Sequence, residues 1–138
     1  MGKAHVRVTL EKAEIIDGGD IGTAEIYFEG WVDDGSGGRW AFRIPQNGHI
    51  PEVENGQVIP LNTAIFDASV GDSLTVHVEA WDEDLGRNSL LNPDDLLGTY
   101  ENRWTAEQKW GDGRHADLEL STEQGKWRLT YSIAVGKP

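Results

Sequence analysis

Two stretches of this sequence concentrate side chains able to hold a cation. The first is Asp17-Gly18-Gly19-Asp20-Ile21-Gly22-Thr23-Ala24-Glu25, and the second runs from Asp82-Glu83-Asp84-Leu85 to Asn92-Pro93-Asp94-Asp95. Asp82 and Asp84 stand two apart, so on an extended chain their side chains share a face. Asp94 and Asp95 return at the far end of the same loop. If the loop folds back, these carboxylates converge. Two carboxylates ~4 Å apart repel by roughly 1 kcal/mol in water, and by more where solvent is limited. Such a group either splays or takes up a hard cation. Calcium accepts about 6–8 oxygens at about 2.3–2.6 Å in irregular geometry, whereas magnesium keeps more of its water and uses fewer carboxylates. Zinc is served by His and Cys, and neither lies in these loops. The spacing is not that of an EF-hand. Counting from Asp82, glycine falls fifth rather than sixth, and the twelfth residue is Pro93 rather than Glu. A solvated loop capped by Asx turns is the other reading of the same residues.

The elements around these loops read as strands. Val6, Val8 and Leu10 alternate with polar neighbours, as do Ala24, Ile26 and Phe28. Trp40 and Phe42 follow the hairpin-like turn Asp33-Asp34-Gly35-Ser36-Gly37-Gly38. Leu74, Val76, Val78 and Ala80 form one further apolar row, and Trp127, Leu129, Tyr131 and Ile133 another. This period of two marks half-buried strands. Shorter candidates lie at Gln57–Leu61, Leu97–Glu101 and His115–Leu120, and Thr105–Trp110 is the one helix-like stretch. About eight short strands separated by Gly, Asp, Asn and Pro clusters predict an all-β fold, a sandwich or barrel. No linker or repeat divides the chain, so residues 1–138 are expected to form a single domain.

Composition narrows the function classes. Twelve Lys and Arg stand against 24 Asp and Glu, a net charge of −12. That argues against a nucleic-acid partner, which would need a basic face, and the sequence holds no run of lysines or arginines. Cysteine is absent, which removes disulfides and thiolate metal sites. The N-terminal residues lack the apolar core of a signal peptide, and no apolar run approaches the ~18 residues of a membrane span. A peripheral membrane or extracellular location is compatible with these features. Catalytic signatures are missing: there is no Gly-x-Ser-x-Gly elbow and no phosphate-binding Gly loop. The chain reads as a binding module rather than an enzyme.

The run Leu74-Thr75-Val76-His77-Val78-Glu79-Ala80-Trp81-Asp82-Glu83-Asp84, a loop, and then Asp94-Asp95-Leu96-Leu97-Gly98 resembles the strand–loop–strand signature of C2 domains. That family carries Asp-x-Asp at the end of one strand and a further Asp three residues before the Gly that opens the next. Asp82, Asp84 and Asp95 occupy those places, with Asp94 adjacent. Gly22-Thr23-Ala24-Glu25-Ile26-Tyr27 is similar to the family's Gly-x-Ser-Asp-Pro-Tyr, with Glu for Asp and Ile for Pro. An earlier aspartate usually completes the site, and Asp17 and Asp20 are both candidates. The resemblance implies an eight-stranded antiparallel β-sandwich of C2-like Greek-key type. It also implies Ca2+ held between the two loops by Asp82, Asp84, Asp95, Asp20 and Glu25, with Asp17 and Asp94 as further candidates. The implied partner is a membrane phospholipid surface or a protein, for a monomer or a module of a larger chain. Two departures stand out: the acidic loop is several residues longer than usual, and the lysine-rich strand that binds anionic head groups in some members is missing.

Ile21, Leu85, Leu90 and Leu91 lie within the loops. They are candidate membrane or partner contacts, with packing of the loops against the sandwich as the other role. The six tryptophans raise a competing function. Trp40 and Trp127 fall on apolar rows and are expected in the core. Trp31 and Trp81 fall on the opposite parity, where an exposed ring stacks on sugars, as in a carbohydrate-binding β-sandwich with a structural calcium ion. His5 and His77 alternate outward and are expected at the surface.

Overall fold

The computed structural model describes residues 4–17, 23–83, 95–123 and 125–136. Among them are nine strands rather than eight, and one short 3-10 segment, Ala106–Gly111. The strands are β1 Ala4–Asp17, β2 Thr23–Asp33, β3 Arg39–Ile44, β4 Ile50–Glu54, β5 Gln57–Val70, β6 Ser73–Asp82, β7 Asp95–Thr105, β8 Gly113–Thr122 and β9 Gly125–Gly136. One sheet has the order β5-β1-β9-β8, and the other has the order β3-β2-β6-β7, with the short β4 also paired to β2. All the pairings are antiparallel. The molecule is an all-β sandwich.

The apolar rows make the core. Leu74, Val76, Val78 and Ala80 of β6 face Trp127, Leu129, Tyr131 and Ile133 of β9, and all are buried. Phe28 and Trp127 meet across the sheets with ring centroids 5.4 Å apart. In β1 the inward row is Val6, Val8 and Leu10, and then Ala13 and Ile15. The switch of parity coincides with a register shift between Leu10 and Lys12 against both β5 and β9. An extra residue of this kind lets a long strand keep its apolar side inward while it bends. Gly30 of β2 sits where a Cβ would overlap the His77 carbonyl oxygen of β6, so only glycine permits that close approach.

Trp40 departs from expectation. It lies on the inward parity of β3 but is 48% exposed, meeting Phe66 edge-on at 5.6 Å. β3 is an edge strand of its sheet, and at an edge the inward row runs out over the rim of the core. Trp127 is fully buried, as its apolar row requires. Its indole nitrogen has no hydrogen-bond partner among the described residues.

At one end of the sandwich the core ends in a polar aromatic group. The Tyr100 and Tyr131 hydroxyls are 2.6 Å apart, and Trp104 Nε1 donates to the Tyr131 hydroxyl at 3.2 Å. His115 stacks on Trp104 and lies against Tyr131, with its Nε2 2.6 Å from the Gly111 carbonyl oxygen. Burial pushes both tyrosine pKa values up, and the Tyr100 hydrogen bond raises that of Tyr131 further. Among the described residues no helix is long and apolar enough to cross a membrane.

Candidate functional site

The opposite end carries the acidic residues. β6 continues its inward row one step beyond the apolar residues, from Ala80 to Asp82. A carboxylate therefore closes the core row, 3% exposed. Burying a charge is costly unless it is hydrogen-bonded. Here the Glu25 backbone N–H donates to Asp82 Oδ1 at 3.1 Å. The next residue completes the tie between strands, because the Glu83 N–H donates to the Glu25 carbonyl oxygen at 2.7 Å.

Strand register brings the other acidic positions alongside. Asp82 pairs with Ile26 of β2 on one side and with Asp95, the first residue of β7, on the other. Residues directly opposite in an antiparallel pair have Cβ atoms about 4.5–5.5 Å apart. β1 ends at Asp17, paired with Lys126 of β9. A Cβ on Gly125, next to Lys126, would press on both the Asp17 carbonyl oxygen and the Leu97 side chain. The end of β1 and the start of β7 thus approach each other across the two sheets. Glu25 itself lies on the outward parity of β2, with Tyr27 and Glu29. Its main chain, rather than its side chain, is what meets Asp82.

Asp20, Ile21, Asp84, Leu85, Leu90, Leu91 and Asp94 lie outside the described residues. Among the described residues no group of three or more His, Asp or Glu side chains is gathered as a metal site. Of the candidate ligands, Asp17, Glu25, Asp82 and Asp95 are placed at this end, beside Lys126 of β9, and all four are carboxylic acids. Oxygen donors alone suit a hard cation of the calcium type.

Two features here escaped the sequence reading. The first is His49, between β3 and β4, whose Nδ1 donates to Glu83 Oε2 at 2.6 Å. Nothing local announces that pair, which spans 34 residues of chain. The second is a double stack on the outer face of the β3-β2-β6-β7 sheet. The Arg39 guanidinium lies 3.7 Å over the Trp31 ring, and His77 is parallel to the same ring at 4.8 Å. At 3.7 and 4.8 Å from one ring the two groups have no room side by side, so they take opposite faces of the indole. Beside them, Arg43 lies 4.2 Å over Tyr27, which is stacked with Trp81 at 6.3 Å. Carboxylates pin the rings in place. Glu79 accepts from Trp81 Nε1 at 2.9 Å, while His77 contacts Glu79 at 2.6 Å and Glu101 at 2.8 Å. Trp31, Trp81 and His77 are accordingly part-buried; the His77 side chain is 13% exposed, less than an outward surface residue was expected to be. The alternation placed these residues on one face, but their cross-strand partners depend on register.

Known structures share this fold. Human group IVD cytosolic phospholipase A2, solved with methyl γ-linolenyl fluorophosphonate and terbium chloride, matches 99% of this chain over 18% of its own, with a TM-score of 0.59 and 14% identity. Extended synaptotagmin 2, in a structure of its SMP domain and two C2 domains, matches 98% of this chain over 27% of its own, with a TM-score of 0.59 and 18% identity. A C2 domain protein from Ramazzottius varieornatus matches 99% of this chain over 91% of its own, with a TM-score of 0.52 and 13% identity. The chain thus spans less than a third of the phospholipase and of extended synaptotagmin 2. Identities this low speak for the fold alone, and the fold is that of a C2 domain. No protein-family model matches the sequence, and no curated protein matches it.

Proposed function

We propose that this chain is a calcium-dependent C2-like binding module, acting as one domain over residues 1–138, whose acidic end takes up Ca2+ and then meets a membrane phospholipid surface. The observation that carries the reading is Asp82. A carboxylate occupies the last core-facing position of β6, with an acidic residue, Asp95, as its neighbour in the next strand. Asp84 and Asp94 follow in the connecting loop, and Asp17, Asp20 and Glu25 supply candidates from the first loop. When bound, the ion neutralises these carboxylates and inverts the local electrostatics, so that an anionic head group can approach. Ile21, Leu85, Leu90 and Leu91 are the apolar residues proposed to enter the interface. The role is that of a binding module and not of an enzyme.

The carbohydrate alternative is less well supported. Sugar stacking needs an open aromatic face, and both faces of Trp31 are already taken, by Arg39 and His77. Tyr27 is covered on one side by Arg43 and stacked with Trp81.

The test is co-sedimentation of the full chain with phosphatidylserine-containing and phosphatidylcholine vesicles, with calcium and with chelator. Calcium-dependent pelleting that chelator reverses is expected. Pelleting that ignores calcium, or its absence together with binding on a glycan array, refutes the proposal. Calcium binding without any vesicle binding would leave a protein partner as the target.

A further inference from the structure

We propose that His49 is a positioning residue for the acidic end, holding Glu83 so that Asp82 stays oriented for the cation. This rests on the calcium reading above and adds to it a residue from a third segment of chain. The β2–β6 pairing Ile26↔Asp82 continues one step further through the bond from Glu83 N–H to the Glu25 carbonyl oxygen. Glu25 and Glu83 are therefore like charges opposite one another on the outer side of the sheet, an arrangement that destabilises strand pairing. Left alone, it would pry open the last rung, the rung that also carries the hydrogen bond from Glu25 N–H to Asp82 Oδ1.

His49 offsets this. Its Nδ1 donates to Glu83 Oε2 at 2.6 Å, and the pair is sheltered, with side chains 20% and 26% exposed. The histidine is itself anchored, because the next residue, Ile50, pairs with Ile26 of β2. The contacts close a ring: Ile50 to Ile26, Ile26 to Asp82, and Glu83 back to His49. Strand alternation sets Glu83 on the face opposite Asp82, and its carboxylate meets His49, so it serves the frame and not the ion. Groups bonded directly to a metal ligand typically contribute about 10–100-fold in metal affinity; His49 acts one residue further out, through Glu83, which sets the expectation at the lower end of that range.

The test compares wild type, His49→Ala and His49→Asn in the full chain. Asn keeps an N–H donor near the place of Nδ1. Calcium affinity is measured by titration calorimetry, and amide hydrogen exchange at Glu83 is measured in chelator. His49→Ala is expected to weaken calcium binding about tenfold and to speed Glu83 exchange about five- to tenfold. His49→Asn is expected to recover most of both, with melting of the calcium-free protein little changed. Calcium affinity of His49→Ala within twofold of wild type overturns the proposal. So does equal loss in the Ala and Asn variants, or unchanged Glu83 exchange. A wild type that binds no calcium sinks the calcium reading, and the exchange measurement then decides separately whether His49 holds Glu83.

Discussion

Replacing Asp82 separates two effects that its position combines. The carboxylate accepts the Glu25 N–H at 3.1 Å, and strand register sets Asp95 opposite it. Directly opposed residues have Cβ atoms about 4.5–5.5 Å apart, and two unit charges at the upper end of that spacing repel by about 0.8 kcal/mol with water-like screening and about 3 kcal/mol at an effective dielectric of 20. Losing the acceptor for a part-buried N–H costs about 1–3 kcal/mol. Asp82→Asn removes the charge and keeps an acceptor oxygen; Asp82→Ala removes both. For a domain of this size, 1 kcal/mol moves Tm by about 3–4 °C. In chelator, Asp82→Asn is expected to melt at or above the wild type, by up to roughly 3 °C at the weaker repulsion. The Ala variant should melt about 3–10 °C below the Asn variant, a difference that does not depend on the repulsion because both have lost the charge. In calcium at a hundredfold excess over Kd, the wild type gains about 2.7 kcal/mol, or roughly 9 °C. Asp82→Asn should forfeit most of that gain. Scanning calorimetry of the three proteins, each with calcium and with chelator, reads all of this. An Asn variant that gains as much from calcium as the wild type refutes the role of the Asp82 charge. An Asn variant that melts several degrees below wild type in chelator refutes the repulsion.

Other consequences follow from the same geometry. Tyr131→Phe removes the hydroxyl shared by Tyr100 and Trp104; a loss of about 1–3 kcal/mol is expected in urea unfolding, and a change within about 0.5 kcal/mol, the scatter of neutral substitutions, would count against the network. Because the Tyr100 and Tyr131 pKa values are raised, the unfolded chain releases these protons first as pH climbs. Their contribution is therefore fully present below about pH 10 and is lost as pH rises further. Denaturant midpoints should drop in that window for wild type, and drop less for Tyr131→Phe. Gly30→Ala sets a Cβ against the His77 carbonyl oxygen; overpacking of this kind costs about 1–3 kcal/mol or more, and unchanged thermal stability would show that β2 and β6 can separate there.

The all-β class, the apolar rows and the acidic ends of β1 and β6 were legible in the sequence, because strand alternation is written residue by residue. A side chain's parity is decided by its neighbours two positions away. That is why Val76, Ala80, Trp127 and Tyr131 are buried as their rows required. What joins across strands was not legible, because register and strand order are set by packing between segments far apart in the chain. Asp82 beside Asp95, Trp31 between Arg39 and His77, and His49 on Glu83 each need the order β3-β2-β6-β7 to exist first. The parity switch in β1 and the exposed ring of Trp40 have the same origin: one is a bulge and the other a sheet edge, and both are properties of the assembled sheets rather than of any local run of residues.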